Sequence, residues 1–96
     1  MYIKMAIDTW GADAQIGQLF EEMGELQTAI SRYHYRNRGT LKDIAEEIVD
    51  VSIMVREMTE LYDIHELVSH WLDIKTEKLG KQLKLGKNYA VKPNGT

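Results

Sequence analysis

A chain of 96 residues, 44% apolar and without cysteine, is expected to form one small folded domain spanning 1–96. It has no disulfide framework, no thiolate metal site and no Cys nucleophile. No apolar run approaches the roughly 18 residues that cross a bilayer, and Met1-Tyr2-Ile3-Lys4 does not open a signal peptide, so a cytoplasmic protein with no membrane partner is expected. The formal charge of −3 is uneven: residues 1–74 carry 14 acidic and 6 basic side chains, residues 75–96 one acidic and six basic. An acidic body with a basic end suits a protein that holds a cation and meets an anion.

The expected elements are all helical, in an antiparallel bundle of three long helices and a short N-terminal one. A short helix over residues 2–9 comes first. Gly11-Ala12-Asp13 offers Asp13 as the N-cap of a helix over 13–36. Its apolar stripe is Ile16, Leu19, Phe20, Met23, Leu26, Ile30 and Tyr33. Asn37-Arg38-Gly39 is a short connection, so the next helix should pack antiparallel to it. Thr40, with Asp43 three residues on, caps a helix over 41–62, whose stripe is Leu41, Ile44, Ile48, Val51, Val55, Met58 and Tyr62. Both stripes are expected to be core. Asp63 with Glu66 predicts a capping box for a helix over 64–85; Gly86 fits its stop, and residues 87–96 read as a tail. A chain this short leaves much surface uncovered, so packing against a second copy through helix faces is expected.

The feature that carries chemistry is an acidic cluster that occurs twice. Glu21-Glu22-Met23-Gly24-Glu25-Leu26 lies on one long helix and Glu46-Glu47-Ile48-Val49-Asp50-Val51 on the next. At about 100° per residue, Glu22 and Glu47 sit about 80° from the centre of the apolar stripe, Glu25 and Asp50 about 140°, and Glu21 and Glu46 close to 180°. When the helices pack, two i/i+3 carboxylate pairs can therefore face one another. A solvated helix face places a base three or four positions from an acid. Glu21, Glu22, Glu25, Glu47 and Asp50 have none there; Glu46 has Lys42. The repulsion calls for a positive charge between the helices. All-oxygen coordination selects a hard cation, Mg²⁺ or Mn²⁺ in its place, and Mg²⁺ sites are commonly completed by substrate phosphates.

In these residues the chain resembles the MazG-like, all-α NTP pyrophosphatase family, whose pattern is EExxE on one helix and ExxD on the next. The stretches LFEEMGELQTAI and IAEEIVDVSIMV carry the likeness, which extends over roughly residues 10–85. The resemblance implies Mg²⁺-dependent hydrolysis of a nucleoside triphosphate to the monophosphate and pyrophosphate. By motif match, Glu22, Glu25, Glu47 and Asp50 would be metal ligands and Glu21 an outer acid that helps to orient the water, so that Glu21 and Glu22 are the catalytic candidates. A homodimer or homotetramer is implied too, with a site that borrows residues from a neighbouring subunit.

Family members place basic residues on or after the last helix to contact phosphates. Lys75, Lys78, Lys81, Lys84 and Lys87, then Asn88 and Tyr89, are the counterparts, and Lys75 and Lys78 are favoured because they lie nearest the amphipathic part of the helix. Trp10 is a candidate either for stacking on a base or for simple packing. Arg32, Arg36 and Arg38 crowd the end of a helix, where the dipole favours cations. Two other readings stay open: a pyrophosphatase of a pathway intermediate such as phosphoribosyl-ATP, and a non-catalytic helical module that binds a cation or a basic partner. Nucleic acid is not an expected partner, because the chain is acidic and its basic segment lacks interleaved aromatics.

Overall fold

The computed structural model describes residues 1–84, and all the regular structure among them is helical. Helices α1 (Tyr2–Trp10), α2 (Ala12–Arg36), α3 (Leu41–Leu61) and α4 (His65–Lys84) follow one another with short connections. The expected stop at Gly86, the tail over 87–96, and Lys87, Asn88 and Tyr89 lie outside the described residues. Two units are distinguished, one running from Met1 to Asp63 and one from Ile64 onward. In the first, α2 packs along α3, and α1 lies on α3 with a smaller contact to α2.

The helix ends show which local expectations hold. Thr40 and Asp43 make the full capping box: the Asp43 N–H donates to Thr40 Oγ1 at 3.1 Å, and the Thr40 N–H donates to Asp43 Oδ2 at 3.0 Å. Gly39 sits at φ 73°, and a Cβ there would stand 3.2 Å from Asp43 Oδ2, so both backbone and space favour glycine. At the end of α2, Asn37 takes the left-handed conformation (φ 53°) and the Arg38 N–H returns to the Arg32 carbonyl at 2.9 Å. That satisfies an orphan carbonyl and turns the chain toward α3.

Two expected caps are corrected. Asp13 lies inside the first turn of α2; the N-cap is Gly11, at φ 87° and ψ 158°, a region open essentially to glycine alone. The α1–α2 junction is set by that backbone and not by a side-chain cap, while Asp13 still complements the helix dipole. Asp63 is likewise displaced. It sits at φ 52°, a turn conformation, and α4 begins one residue later, with the Ile64 carbonyl accepting the first helical bond from the Val68 N–H at 2.9 Å.

The stripes are only partly core. Met54 is buried, and Ile16, Leu19 and Leu26 of α2 and Ile44, Val51 and Met58 of α3 are half-buried. Phe20, Met23, Ile30 and Tyr33, and Leu41, Ile48, Val55 and Tyr62, are exposed instead. Each helix of this unit has too few neighbours to cover a stripe of that width, so half of it faces outward. In the second unit α4 also leaves Leu67, Trp71, Leu72 and Leu79 exposed.

Candidate metal centre

The packing of α2 on α3 brings the two acidic clusters together. Glu22, Glu47 and Asp50 each present a carboxylate oxygen, and the three oxygens lie within 4.8 Å of one another. Glu22 and Glu47 are half-buried, as their place at the edge of the stripe requires, whereas Glu21, Glu25 and Glu46 are exposed. Glu25 is not one of these three convergent acids; it lies beside Glu22 on the same helix. The expected four-acid set thus becomes three convergent acids with Glu25 at their flank.

The electrostatics follow from this crowding. Burial, then repulsion from Asp50 and Glu22, pushes the Glu47 carboxyl above its ordinary range. Glu25 is raised as well, first by its hydrogen bond with Glu22 and then by the charges of Glu22 and Glu47. Little in the neighbourhood relieves this. Gln18 Nε2 donates to Glu22 Oε2 at 2.7 Å, but Glu22 Oε1 and Glu47 Oε1 are buried without a hydrogen-bond partner. Lys42 is spent elsewhere, in an exposed pair with Glu46 at 2.9 Å.

Buried acceptors without donors are costly, and a cation is one way to satisfy them. Oxygens around a magnesium ion at about 2.1 Å stand roughly 3–4 Å apart, so the triad's separations have at most about 1–2 Å to close. The donor set is entirely carboxylate, which suits a hard divalent ion and not zinc. The residues fit such an ion.

Beside the triad, a groove of about 660 Å³ runs between α2 and α3. Its walls carry Glu21, Glu25, Glu46 and Glu47, with Asp43 at one end; Gly24 adds no side chain to fill it. One base lines it among the described residues: Arg32. Its sequence position accounts for Arg32 by the helix dipole, together with Arg36 and Arg38. A further sign is its spacing from the acids: Glu25 and Arg32 are seven residues apart on α2, hence about two turns along one face.

The other candidates fall elsewhere. Trp10, 64% exposed, lines a separate apolar hollow between α1 and α3. Lys75 and Lys78 are exposed on α4, in the second unit. Two buried polar residues escaped the sequence reading, Gln15 and Glu57. For Glu57 a sign was present: Ile53, Met54, Glu57 and Leu61 recur at three- and four-residue spacing, a second strip on α3 beside the main stripe.

Comparison of the chain with protein-family models, with curated proteins and with solved structures finds no match.

Proposed function

We propose that this chain is a magnesium-dependent nucleotide pyrophosphohydrolase, which cleaves a nucleoside triphosphate to the monophosphate and pyrophosphate. The observation that carries the reading is the convergence of Glu22, Glu47 and Asp50, two of them with buried, unpartnered oxygens. Glu22, Glu47 and Asp50 would hold Mg²⁺, with Glu25 completing the set. When bound, the ion neutralises polyphosphate charge and makes water a better nucleophile at neutral pH.

The rest falls to the chain's own groups. Glu21, exposed on the groove wall, orients the attacking water and accepts its proton. The water oxygen bonds to the α-phosphorus, the bond from that phosphorus to the α–β bridging oxygen breaks, and pyrophosphate leaves. Arg32 donates its planar N–H fork to the phosphate oxygens, a role for which guanidinium geometry is suited. Lys75 and Lys78 retain the phosphate-binding role that the family resemblance suggests.

The resemblance and the exposed apolar residues of α2, α3 and α4 together support a homodimer or homotetramer joined through helix faces. The test is a panel of canonical and modified nucleoside triphosphates, with Mg²⁺ and with EDTA, assayed for pyrophosphate and monophosphate. Pyrophosphate release that needs Mg²⁺ and is lost in Glu47→Gln supports the reading. A folded protein that binds Mg²⁺ and releases none from any triphosphate overturns it, in favour of a pathway-specific substrate such as phosphoribosyl-ATP or a non-catalytic cation-binding module.

A further inference from the structure

One neutral side chain meets the acid cluster. Gln18, half-buried on α2, lies one turn before Glu22, and its Nε2 donates to Glu22 Oε2 at 2.7 Å. Residues four apart share a helix face, so this contact is set by spacing along α2 and needs no other element. Among the described residues, Gln18 is the one side chain other than an acid that reaches Glu22, Glu47 or Asp50 by a hydrogen bond.

What Gln18 does for Glu22 differs from what a base does for Glu46. Lys42 stands at the same i,i+4 spacing from Glu46 and pairs with it at 2.9 Å. Glu46 is the acid of the α3 cluster that does not join the three. At position 18 the donor carries no charge, so Glu22 is oriented and keeps its negative charge for a cation. Its two oxygens become unequal. Oε2 is held by the amide, and Oε1 is buried with no hydrogen-bond partner. A carboxylate free to rotate loses side-chain entropy when an ion fixes it. One already held through Oε2 has less to lose, and groups that orient a metal's ligands in this way tune its affinity.

We infer that Gln18 is a positioning residue of the metal centre: its amide holds Glu22 by Oε2 and leaves Oε1 for a divalent cation. The effect is largest for Mg²⁺, which demands a near-ideal octahedron at about 2.1 Å, whereas Ca²⁺ accepts irregular ligand sets at about 2.3–2.6 Å. Position 18 thereby helps to select the ion. This rests on the magnesium reading of the three acids and not on the reaction.

The full chain is titrated without nucleotide, with Mg²⁺ alone or Ca²⁺ alone, and binding is followed by amide NMR shifts. Gln18→Met keeps the length of the side chain and removes the donor. It is expected to weaken Mg²⁺ binding roughly 10-fold or more. Ca²⁺ binding should fall by a smaller factor, with helicity by circular dichroism unchanged. Gln18→Lys copies the Lys42–Glu46 pairing and should weaken both ions, because an ammonium on Glu22 competes with either. Unchanged Mg²⁺ affinity in Gln18→Met overturns the inference and leaves the metal centre standing. An equal loss of Mg²⁺ and Ca²⁺ also overturns it, since a merely structural role does not distinguish the ions. Should Gln18→Met not fold, wild-type Mg²⁺ affinity in Gln18→Lys overturns it instead. A wild type that binds neither ion removes it together with the magnesium reading. Pyrophosphate release is assayed separately: selective loss of Mg²⁺ in a chain that hydrolyses no triphosphate keeps Gln18 in this role and removes the reaction.

Discussion

Glu57 makes the sharpest statement about stability. The residue as a whole is 4% exposed, and one of its carboxyl oxygens is buried without a hydrogen-bond partner. An unsatisfied buried polar group costs about 1–3 kcal/mol, and replacing it by an apolar side chain of similar length removes that cost. Methionine is unbranched and adapts to irregular space, so Glu57→Met should gain about 1–2 kcal/mol after imperfect packing is allowed for. For a chain of this size that is roughly 5–15 °C in melting temperature. The pH dependence has a definite sign. The folded-state carboxyl is raised above the unfolded value, so the native state binds more protons in the interval between the two. Wild-type stability from this group is therefore fully present below the unfolded value of about 4.5 and is lost as pH rises through the folded value. The advantage of Glu57→Met should widen from pH 4 to pH 7. Urea unfolding followed by circular dichroism, at fixed protomer concentration, measures it. A variant less stable than wild type at pH 7, or an advantage that stays flat with pH, would contradict this account of Glu57.

The other expectations are simpler. Glu22→Gln and Glu47→Gln should each lose at least about 100-fold in pyrophosphate release. Their far-ultraviolet circular dichroism should be unchanged, and the thermal stabilisation that Mg²⁺ gives the wild type should disappear. Thr40→Ala removes the α3 capping box and should cost about 1 kcal/mol, read as a drop of roughly 4–8 °C in melting temperature. Gly11→Ala meets nothing within 4 Å, so its expected cost of about 1–3 kcal/mol by urea unfolding is wholly conformational, from φ 87° and ψ 158°. Leu72→Lys, on the exposed apolar side of α4, should lower the mass seen by analytical ultracentrifugation if that face joins copies.

Local pattern and local chemistry account for much of this protein. The helical periodicity, the Thr40–Asp43 box and the Asn37-Arg38-Gly39 turn are short-range features, and the four helices follow from them within a residue or two at each end. The double acid motif was legible for the same reason: i/i+3 spacing fixes which carboxylates share a face before any packing is known. The caps at Asp13 and Asp63 were misplaced because the backbone at Gly11 and Asp63 takes positive φ, which side-chain patterns do not report. Packing settled what depends on which helix lies against which. It selected Glu22, Glu47 and Asp50 from the five unpaired acids and left Glu25 at their side, because convergence is set by the distance between two helices and not by spacing along either. It put Arg32 on the groove, left half of each stripe uncovered, and closed α1 over Glu57. Burial is a property of neighbours distant in sequence, and a buried acid looks like any other until the helix that covers it is in place.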